Sequence, residues 1–357
     1  MPARDAITSR SVQTSRLTMH VLQGPGQAGD RPVLFVHGNV SSGVFFRREL
    51  ERLPPGFIGY APDLRSYGRT ESLPVDATRG LRDWSDDLHS LVVALGLHQG
   101  PPIVLLGWSV GGAVVLQYAL DHAQHVAGLV LEAPMSPYGF GGTHGLSGTP
   151  CFPDFAGSGG AGANPDFVAR LGRKDRSDEA PTSPRNIMRA FYFKPPFRMS
   201  PEDEEWALDS TFEMTLGDAH YPGSAATSPN WPGFAPGSQG TNNAISPKYC
   251  NVSGFAQVKP QPKVLWVRGT DDQIVSDTSL FDMSFLGQIG AVPGWPGPEV
   301  CPPQPMVGQT RAVLDAYRQN GGVYEELVFS DCGHSPHLEK PTEFREKLFG
   351  FLTEVMG

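Results

Sequence analysis

The chain has 357 residues, which is enough to bury one large hydrophobic core or two modest ones. Its 28 Lys and Arg against 37 Asp and Glu give a net charge of −9, so it lacks the basic excess that phosphate binding needs, and nucleic acid is not expected as a partner. It contains no run of eighteen apolar residues, and its N-terminus, MPARDAITSRSVQ, has no apolar signal core, so we expect no membrane span, no membrane partner and a cytoplasmic location.

The four cysteines show no pattern that is typical of a metal or disulfide scaffold. Cys151, Cys250, Cys301 and Cys332 form no CxxC pair and no His/Cys cluster with zinc spacing. A disulfide framework is not expected in a chain of this length without a secretion signal. The sequence therefore predicts reduced thiols, no metal and no cofactor.

In chain order, short apolar runs alternate with helical patterns. Residues 7–24 contain two loosely alternating segments before a glycine turn, which predicts an antiparallel hairpin at a sheet edge. Residues 81–97 have apolar side chains at helical spacing. Short buried strands are predicted at 33–36, 57–61, 103–106 and 126–131. Because strands that alternate with helices form parallel βαβ units, the expected fold class is α/β, a mostly parallel twisted sheet covered by helices on both faces.

A serine lies between two glycines at the end of the strand at 103–106. The segment Gly107-Trp108-Ser109-Val110-Gly111 leads into a helix predicted at 112–120, and this pattern is typical of a nucleophile elbow. The sharp turn holds the serine in a sterically costly backbone conformation, in which a Cβ at either flanking position would clash. The hydroxyl then lies beside a helix N-terminus, whose free N–H groups stabilise a developing negative charge.

The alternation breaks from about residue 135 to about residue 262. Two stretches rich in glycine and aromatic residues flank helix-like pieces near 185–193 and 201–216. A structureless loop of this length is improbable in a compact domain, and a disordered linker would carry fewer large aromatics. We therefore expect a cap inserted at 136–259 between core segments 1–135 and 260–357. The aromatic residues expected to line its apolar pocket are Phe140, Phe152, Phe155, Phe191, Tyr192, Phe193, Trp206, Trp231 and Phe234.

The C-terminal part returns to the alternating pattern. A strand at 263–267 is followed by Asp271 and Asp272, and a strand at 324–329 is followed by His334. Helices are predicted at 309–319 and 341–356, while the proline-rich stretch 290–305 is expected to pack beside the cap. Since reactive groups gather at the carboxyl ends of parallel strands, these residues are expected at the same edge of the sheet as the serine.

The order of serine, acidic strand end and histidine resembles that of the α/β-hydrolase fold superfamily. The resemblance covers roughly residues 10–135 and 260–357. The matching segments are His37-Gly38, Asp63-Leu64-Arg65-Ser66-Tyr67-Gly68, Gly107-Trp108-Ser109-Val110-Gly111-Gly112, Gly269-Thr270-Asp271-Asp272 and Gly333-His334-Ser335-Pro336-His337-Leu338-Glu339.

The resemblance implies Ser109 as the nucleophile and His334 as the general base. His337 belongs to the segment that leads into the final helix, and we interpret it as structural. For the acid, the spacing from the preceding glycine favours Asp272 over Asp271. Some members of the superfamily instead carry the acid after the strand that follows the elbow, where Glu132 stands here.

An oxyanion hole is expected from two backbone N–H groups. These belong to Val110, directly after the nucleophile, and to Asn39, directly after His37-Gly38. The side chain of Asn39 is a further candidate donor. Asp63 also follows a strand, but we interpret its Asp-Leu-Arg segment as a structural turn.

The expected activity is that of a cofactor-free serine hydrolase. The aromatic cap favours a carboxylic ester or lactone with a bulky apolar group as the substrate, and the sequence leaves a homo-oligomer open. The first alternative is a carbon–carbon bond hydrolase that uses the same triad on a diketone. The second is a non-catalytic small-molecule-binding homologue that keeps the triad. Serine at position 109 argues against epoxide hydrolases and haloalkane dehalogenases, which resemble each other in having aspartate at the elbow.

Overall fold

A computed structural model describes residues 7–27 and 29–356 of the chain. The first six residues, on which part of the N-terminal prediction rests, lie outside this described part. The main sheet of the described residues has eight strands, which we number in chain order. They are β1 (Thr8–Gln13), β2 (Thr18–Gln23), β3 (Arg31–Val36), β4 (Phe57–Pro62), β5 (Ile103–Trp108), β6 (Val126–Glu132), β7 (Lys263–Gly269) and β8 (Tyr324–Phe329).

The helices connect these strands, belong to the long segment between β6 and β7, or follow the last strand. They are α1 (Arg47–Arg52), α2 (Arg82–Ala94), α3 (Val110–His122), α4 (Pro165–Gly172), α5 (Pro184–Ile187), α6 (Pro201–Thr211), α7 (Thr241–Ala244), α8 (Met283–Gln288), α9 (Met306–Gln319), α10 (Pro336–Glu339) and α11 (Pro341–Met356).

The spatial order of the sheet is β1-β2-β4-β3-β5-β6-β7-β8. The first two strands form the predicted antiparallel hairpin, β2 pairs antiparallel with β4, and the other pairings are parallel. Every residue of β5 is buried, as is typical of a parallel strand covered on both faces. The predicted α/β fold class with a mostly parallel sheet is confirmed.

The carboxyl ends of the parallel strands β3, β5, β6, β7 and β8 meet at one edge of the sheet. The segments that follow these ends carry Gly38, Ser109, Ala133, Asp272 and His334. The fold therefore brings together residues that are up to 296 positions apart along the chain, which is the separation between Gly38 and His334.

The segment between β6 and β7 is ordered by short elements rather than by long ones. Besides α4 to α7 it contains three small two-stranded pairs: Thr143–His144 with Thr149–Pro150, Leu216–Gly217 with Tyr221–Pro222, and Ala225–Thr227 with Phe234–Pro236. A π-helical turn, Met188–Tyr192, continues α5. The helix predicted near 201–216 ends earlier, at Thr211.

Five helices of the described residues were not predicted from the sequence: the short helices α1, α7 and α10, and the capped helices α4 and α8. Helix α4 begins after Asn164, whose side chain accepts hydrogen bonds from the N–H groups of Asp166 and Phe167. Helix α8 begins after Asp282, whose side chain accepts from the N–H of Ser284. Both helices have N-cap residues of the preferred type, but glycine- and proline-rich flanks masked the signals.

The proline-rich stretch 290–305 packs beside the long inserted segment, as expected. The indole N–H of Trp231 donates to the carbonyl of Pro293 at 2.9 Å. The side chain of Gln304 accepts from the N–H of Gly141 at 2.7 Å and donates to the carbonyl of Gly139 at 3.0 Å. All four cysteines are free. Among the described residues, no helix combines the length and the apolar character required to cross a membrane.

Candidate active site

Ser109 lies on a strained turn between β5 and α3. Its backbone angles are φ 58° and ψ −119°, a conformation that residues with a side chain rarely adopt. A Cβ on Gly107 would come within 2.3 Å of the carbonyl oxygen of Gly111, and one on Gly111 within 2.1 Å of the carbonyl oxygen of Val36. Both glycines are therefore required for the turn to form.

Hydrogen bonds to the end of β6 hold this turn in place. The N–H of Ser109 donates to the carbonyl of Glu132 at 2.9 Å, and the carbonyl of Ser109 accepts from the N–H of Met135 at 3.1 Å. Ser109 itself is only 7% exposed. The turn thus has little freedom to relax, and the strain is retained in the folded protein.

His334 and Asp272 form a buried hydrogen-bonded pair. The Nδ1 atom of His334 lies 2.7 Å from Oδ2 of Asp272. The other carboxylate oxygen, Oδ1, accepts from the N–H groups of Ile274 at 2.8 Å and Val275 at 3.0 Å. Because both oxygens are engaged, the carboxylate is fixed with Oδ2 toward the imidazole. Because Asp272 engages Nδ1, Nε2 is the ring nitrogen left to act on another group.

Trp108 links the serine turn to the histidine loop, and the sequence analysis missed this role. Its indole N–H donates to the backbone carbonyl of His334 at 2.8 Å, and the two ring centroids are 5.5 Å apart. Trp108 directly precedes Ser109, so this contact joins the residue beside the serine to the predicted base. The position of Trp108 in the motif does not indicate this hydrogen bond, since its partner is 226 residues away along the chain.

The two alternative acids have other partners. Glu132 is fully buried and lies 2.8 Å from both the N–H and Nδ1 of His337. Asp271 points outward, where it forms an ion pair with Lys194 at 3.0 Å. Of the three candidate carboxylates, Asp272 is the one that contacts His334. The same geometry gives His337 a structural partner, in agreement with the structural interpretation of that residue.

The loop after β3 lies directly against the serine. A Cβ on Gly38 would come within 2.8 Å of the Cβ of Ser109 and 3.4 Å of its hydroxyl oxygen. This close approach places the next residue, Asn39, beside the turn. Val110 is the first residue of α3, where backbone N–H groups have no partner within the helix. Both predicted oxyanion donors therefore belong to segments that adjoin Ser109.

The side chain of Asn39 has other partners. Its Oδ1 accepts from the hydroxyl of Tyr67 at 2.6 Å and from the N–H of Val40 at 3.1 Å, while its Nδ2 donates to Oδ1 of Asn242 at 3.0 Å. These bonds engage the side-chain amide of Asn39 with residues other than Ser109. We therefore assign the predicted contribution of Asn39 to its backbone N–H alone.

The buried ring of His37 joins this loop to the segment after β4. Its Nδ1 lies 2.8 Å from the carbonyl of Gly38, and its Nε2 accepts from the N–H of Leu64 at 2.9 Å. Burial lowers the pKa of His37, so the ring stays neutral and can donate through one nitrogen while it accepts through the other. Asp63 accepts from the N–H groups of Gly43 and Arg69, as expected for a structural turn.

Replacing Gly38 by Ala is predicted to impair the site without unfolding the protein. The added methyl group would press on Ser109, because neither backbone can move away freely. We expect kcat/KM on an ester substrate to fall about 10²-fold or more, comparable to the loss of one oxyanion donor. Gly350→Ala is the control, since no atom lies within 4 Å of its added Cβ. Equal activities of the two variants would contradict the close approach.

One aromatic residue of the inserted segment reaches the loop after β3, residues 37–40. We call it the oxyanion loop because it carries the predicted donor Asn39. The hydroxyl of Tyr192 donates to the carbonyl of Val40 at 2.9 Å, and its ring packs 5.7 Å from that of Trp108 and 6.1 Å from that of Phe45. Tyr192 therefore connects the segment to both the loop and the serine turn.

Two of the aromatic residues expected to line a pocket pack against other parts of the chain. Trp206 lies beneath the guanidinium groups of Arg47 and Arg48, at 4.4 and 5.2 Å, where it joins α6 to α1. Trp231 packs on the proline-rich stretch. Long-range packing partners decide these positions, and the composition of the segment does not reveal them.

A small apolar cavity adjoins the oxyanion loop. Its volume is about 10 Å³, roughly the least space that holds a single water molecule. Its lining residues are Val40, Phe167, Pro184, Ile187, Met188, Tyr192, Leu208 and Thr211. Except for Val40, these residues all belong to the inserted segment, so its side chains determine how much room there is beside the loop.

The chain belongs to the alpha/beta hydrolase family, whose sequence model matches residues 33–347. The predicted resemblance is thereby confirmed. The chain is 37% identical over 120 residues to the lipase LipV of Mycobacterium tuberculosis, a match that covers 33% of this chain and 42% of LipV. It is 31% identical over 111 residues to the pimeloyl-[acyl-carrier protein] methyl ester esterase of Vibrio vulnificus, covering 31% of this chain and 39% of that enzyme.

These matches span about two fifths of the length of each curated relative. The fold similarity extends much further. The structure of the carboxylesterase CesB from Bacillus subtilis superposes with a TM-score of 0.59 at 13% identity, over 98% of this chain and 92% of CesB. At that identity, the similarity shows a common fold.

Proposed function

We propose that this protein is a serine hydrolase that cleaves a carboxylic ester or lactone with a bulky apolar group. The observation that carries the proposal is the Asp272–His334 hydrogen bond of 2.7 Å, on a loop whose carbonyl accepts from Trp108, the residue directly before Ser109. In the proposal, Ser109, His334 and Asp272 are the catalytic triad. The mechanism requires no cofactor and no metal.

In the first step the hydroxyl oxygen of Ser109 attacks the carbonyl carbon, and Nε2 of His334 accepts the hydroxyl proton. Asp272 keeps the proton on Nδ1 and stabilises the imidazolium that forms. The negative charge that develops on the carbonyl oxygen is stabilised by the N–H groups of Val110 and Asn39, one such donor being worth about 3 kcal/mol.

The leaving alcohol then takes the proton from His334, and the acyl group stays on Ser109. Water is deprotonated by His334 and attacks the acyl-enzyme, which releases the carboxylic acid and restores the serine. The low exposure of Ser109 and His334, 7% and 2%, strengthens these electrostatic interactions because little water competes with them.

The substrate class is inferred from the surroundings of the oxyanion loop. In this proposal, residues 136–259 form the cap, and residues 1–135 and 260–357 form the hydrolase core. The cap presents Phe167, Ile187, Met188 and Leu208 to the cavity beside Val40, which favours an apolar acyl group. The names of the relatives, a lipase and a methyl ester esterase, agree with ester hydrolysis. Since the cavity is small, binding of a bulky group requires the side chains of the cap to move.

A chain-length series of p-nitrophenyl esters tests the substrate class. Because each buried CH₂ contributes about 0.8 kcal/mol and octanoate has six more CH₂ groups than acetate, kcat/KM should rise on the order of 10³-fold when all six are buried. Replacing Met188 by Ala should enlarge the cavity and shift the preference further toward octanoate. Met199→Ala is the matched control, because Met199 does not line the cavity.

The other outcomes are equally informative. A preference for acetate that the Met188 variant leaves unchanged would contradict the apolar acyl site. Cleavage of a vinylogous 1,5-diketone, with no hydrolysis of any ester or lactone, would instead assign the triad to carbon–carbon bond hydrolysis. Binding of these compounds without turnover would identify a non-catalytic receptor.

A further inference from the structure

Three histidines come together where the middle of α2 packs beside the end of α3. His89 lies on α2, His122 is the last residue of α3, and His125 lies in the turn that follows. Their candidate ligand nitrogens all lie within 4.8 Å of one another. The rings of His89 and His122 are nearly parallel, with centroids 3.7 Å apart. We refer to these three residues as the histidine cluster.

At least one ring nitrogen of the histidine cluster lacks a hydrogen-bond partner in the described part of the chain. Nδ1 of His125 is buried and has no hydrogen-bond partner among the described residues. Nδ1 of His89 lies 3.3 Å from the hydroxyl of Tyr118, which leaves Nε2 of that ring available. Stacked, half-buried imidazoles with an unpartnered nitrogen are costly for stability, because a buried polar atom without a partner loses its hydration.

We propose that His89, His122 and His125 bind one divalent transition metal ion of the zinc type. Neutral imidazole is a preferred ligand of Zn²⁺, and three protein nitrogens with a fourth, solvent-filled position form a common coordination set. The three rings are half-buried, so solvent can supply the fourth ligand. Binding would give the unpartnered nitrogen of the cluster a partner.

Metal binding would require the three rings to turn, because they lie nearly parallel, with interplanar angles of 8°, 10° and 6°. With Zn–N bonds of about 2.0–2.1 Å, the ligand nitrogens of a tetrahedral site lie about 3.4 Å apart. The present nitrogens, within 4.8 Å of one another, reach that spacing by side-chain rotation. The turn between His122 and His125 places these two ligands three positions apart, whereas His89 comes from another helix. Metal binding would thus tie the middle of α2 to the end of α3.

Nearby carboxylates are already paired with cations. Asp121, next to His122, accepts from Arg82 at 2.7 Å, and Asp86 forms an ion pair with Arg79. A further imidazole, His98, lies close enough to affect His89 electrostatically, and its Nδ1 is also buried without a partner in the described chain. The cluster therefore has a fourth imidazole nearby. The two arginines named here, Arg79 and Arg82, are each paired with a carboxylate.

The histidine cluster is separate from the candidate active site. Helix α3 begins at Val110, beside Ser109, and ends at His122, so at 1.5 Å per residue the two sites lie about 18 Å apart along this helix. The proposed ion would therefore stabilise the fold rather than take part in ester hydrolysis. The Ser109→Ala variant should bind the metal as the wild type does.

Titration of the untagged, metal-free protein with Zn²⁺ and Co²⁺ tests the proposal. We expect one equivalent to bind, Co²⁺ to develop the absorption of a four-coordinate site, and Zn²⁺ to displace it. Because an ion that binds only the folded state stabilises it, Zn²⁺ should raise the Tm. His89→Gln and His122→Gln should each weaken binding about tenfold or more, and the double variant should abolish the Tm shift.

The matched control is His144→Ala, which removes a histidine outside the cluster. It should bind Zn²⁺ with wild-type affinity. The proposal is overturned if the wild type binds no equivalent of either ion, or if the double variant and the control bind equally well. If the double variant fails to fold, circular dichroism will show it. The Co²⁺ spectrum of the wild type then decides, since a spectrum of the hexaaquo ion alone overturns the site.

Discussion

Replacing Ser109 by Ala is expected to reduce kcat/KM for ester hydrolysis on the order of 10⁵- to 10⁶-fold, because the nucleophile and the acyl-enzyme are lost together. Alanine keeps a Cβ, so the strained turn at φ 58° should form as before. The hydrogen bonds from the backbone of residue 109 to β6 do not involve the hydroxyl. The variant should therefore fold with an unchanged Tm.

Labelling with a fluorophosphonate measures the same prediction without a known substrate. The wild type should gain the mass of one probe on Ser109, and Ser109→Ala should gain none. Ser253→Ala is the control, because Ser253 donates only to Asn251 at the surface. If the wild type never gains the probe mass, or the variant hydrolyses esters at the wild-type rate, the proposed function is wrong.

The second large effect is expected from Asp272→Asn. Asparagine fits the same space, but its amide cannot stabilise the imidazolium and favours the wrong tautomer of His334. We therefore expect kcat to fall on the order of 10⁴-fold. The N–H groups of Ile274 and Val275 can still donate to the remaining carbonyl oxygen, so the loop should keep its shape.

Glu132→Gln and Asp271→Asn are the matched controls for this variant. Glu132 contacts His337 in the core, so Glu132→Gln should lower the Tm while kcat stays within a fewfold of wild type. Asp271→Asn removes an exposed ion pair and should change neither quantity much. A kcat loss larger in Glu132→Gln than in Asp272→Asn would assign the acid to Glu132.

Local sequence patterns predicted the sheet strands well, because burial on both faces leaves a readable signal. Four- to six-residue apolar runs correspond to β3, β4, β5 and β6, and glycines around Ser109 correspond to the turn whose sterics require them. The helices α4 and α8 were missed, since their short, capped sequences lie among glycines and prolines. Their stability comes from packing against distant segments rather than from propensity.

The choice among three carboxylates illustrates the limit of sequence reasoning at the candidate site. Spacing favoured Asp272, but Glu132 also follows a strand at the correct edge of the sheet. Asp272 and Glu132 differ in the histidine that each one contacts. His334 and His337 are three residues apart, and only the path of the chain after β8 brings one to Asp272 and the other to Glu132.

By itself, the sequence determined the α/β class, the positions of most strands along the chain and the segment that holds the candidate nucleophile. These features depend on the sterics and burial of neighbouring residues, which a local pattern records. Only the tertiary structure decided the partner of His334, the contact of Trp108 with its loop, and the meeting of His89 with His122 and His125. Such contacts join residues tens to hundreds of positions apart, and no local energetic term in the chain specifies them.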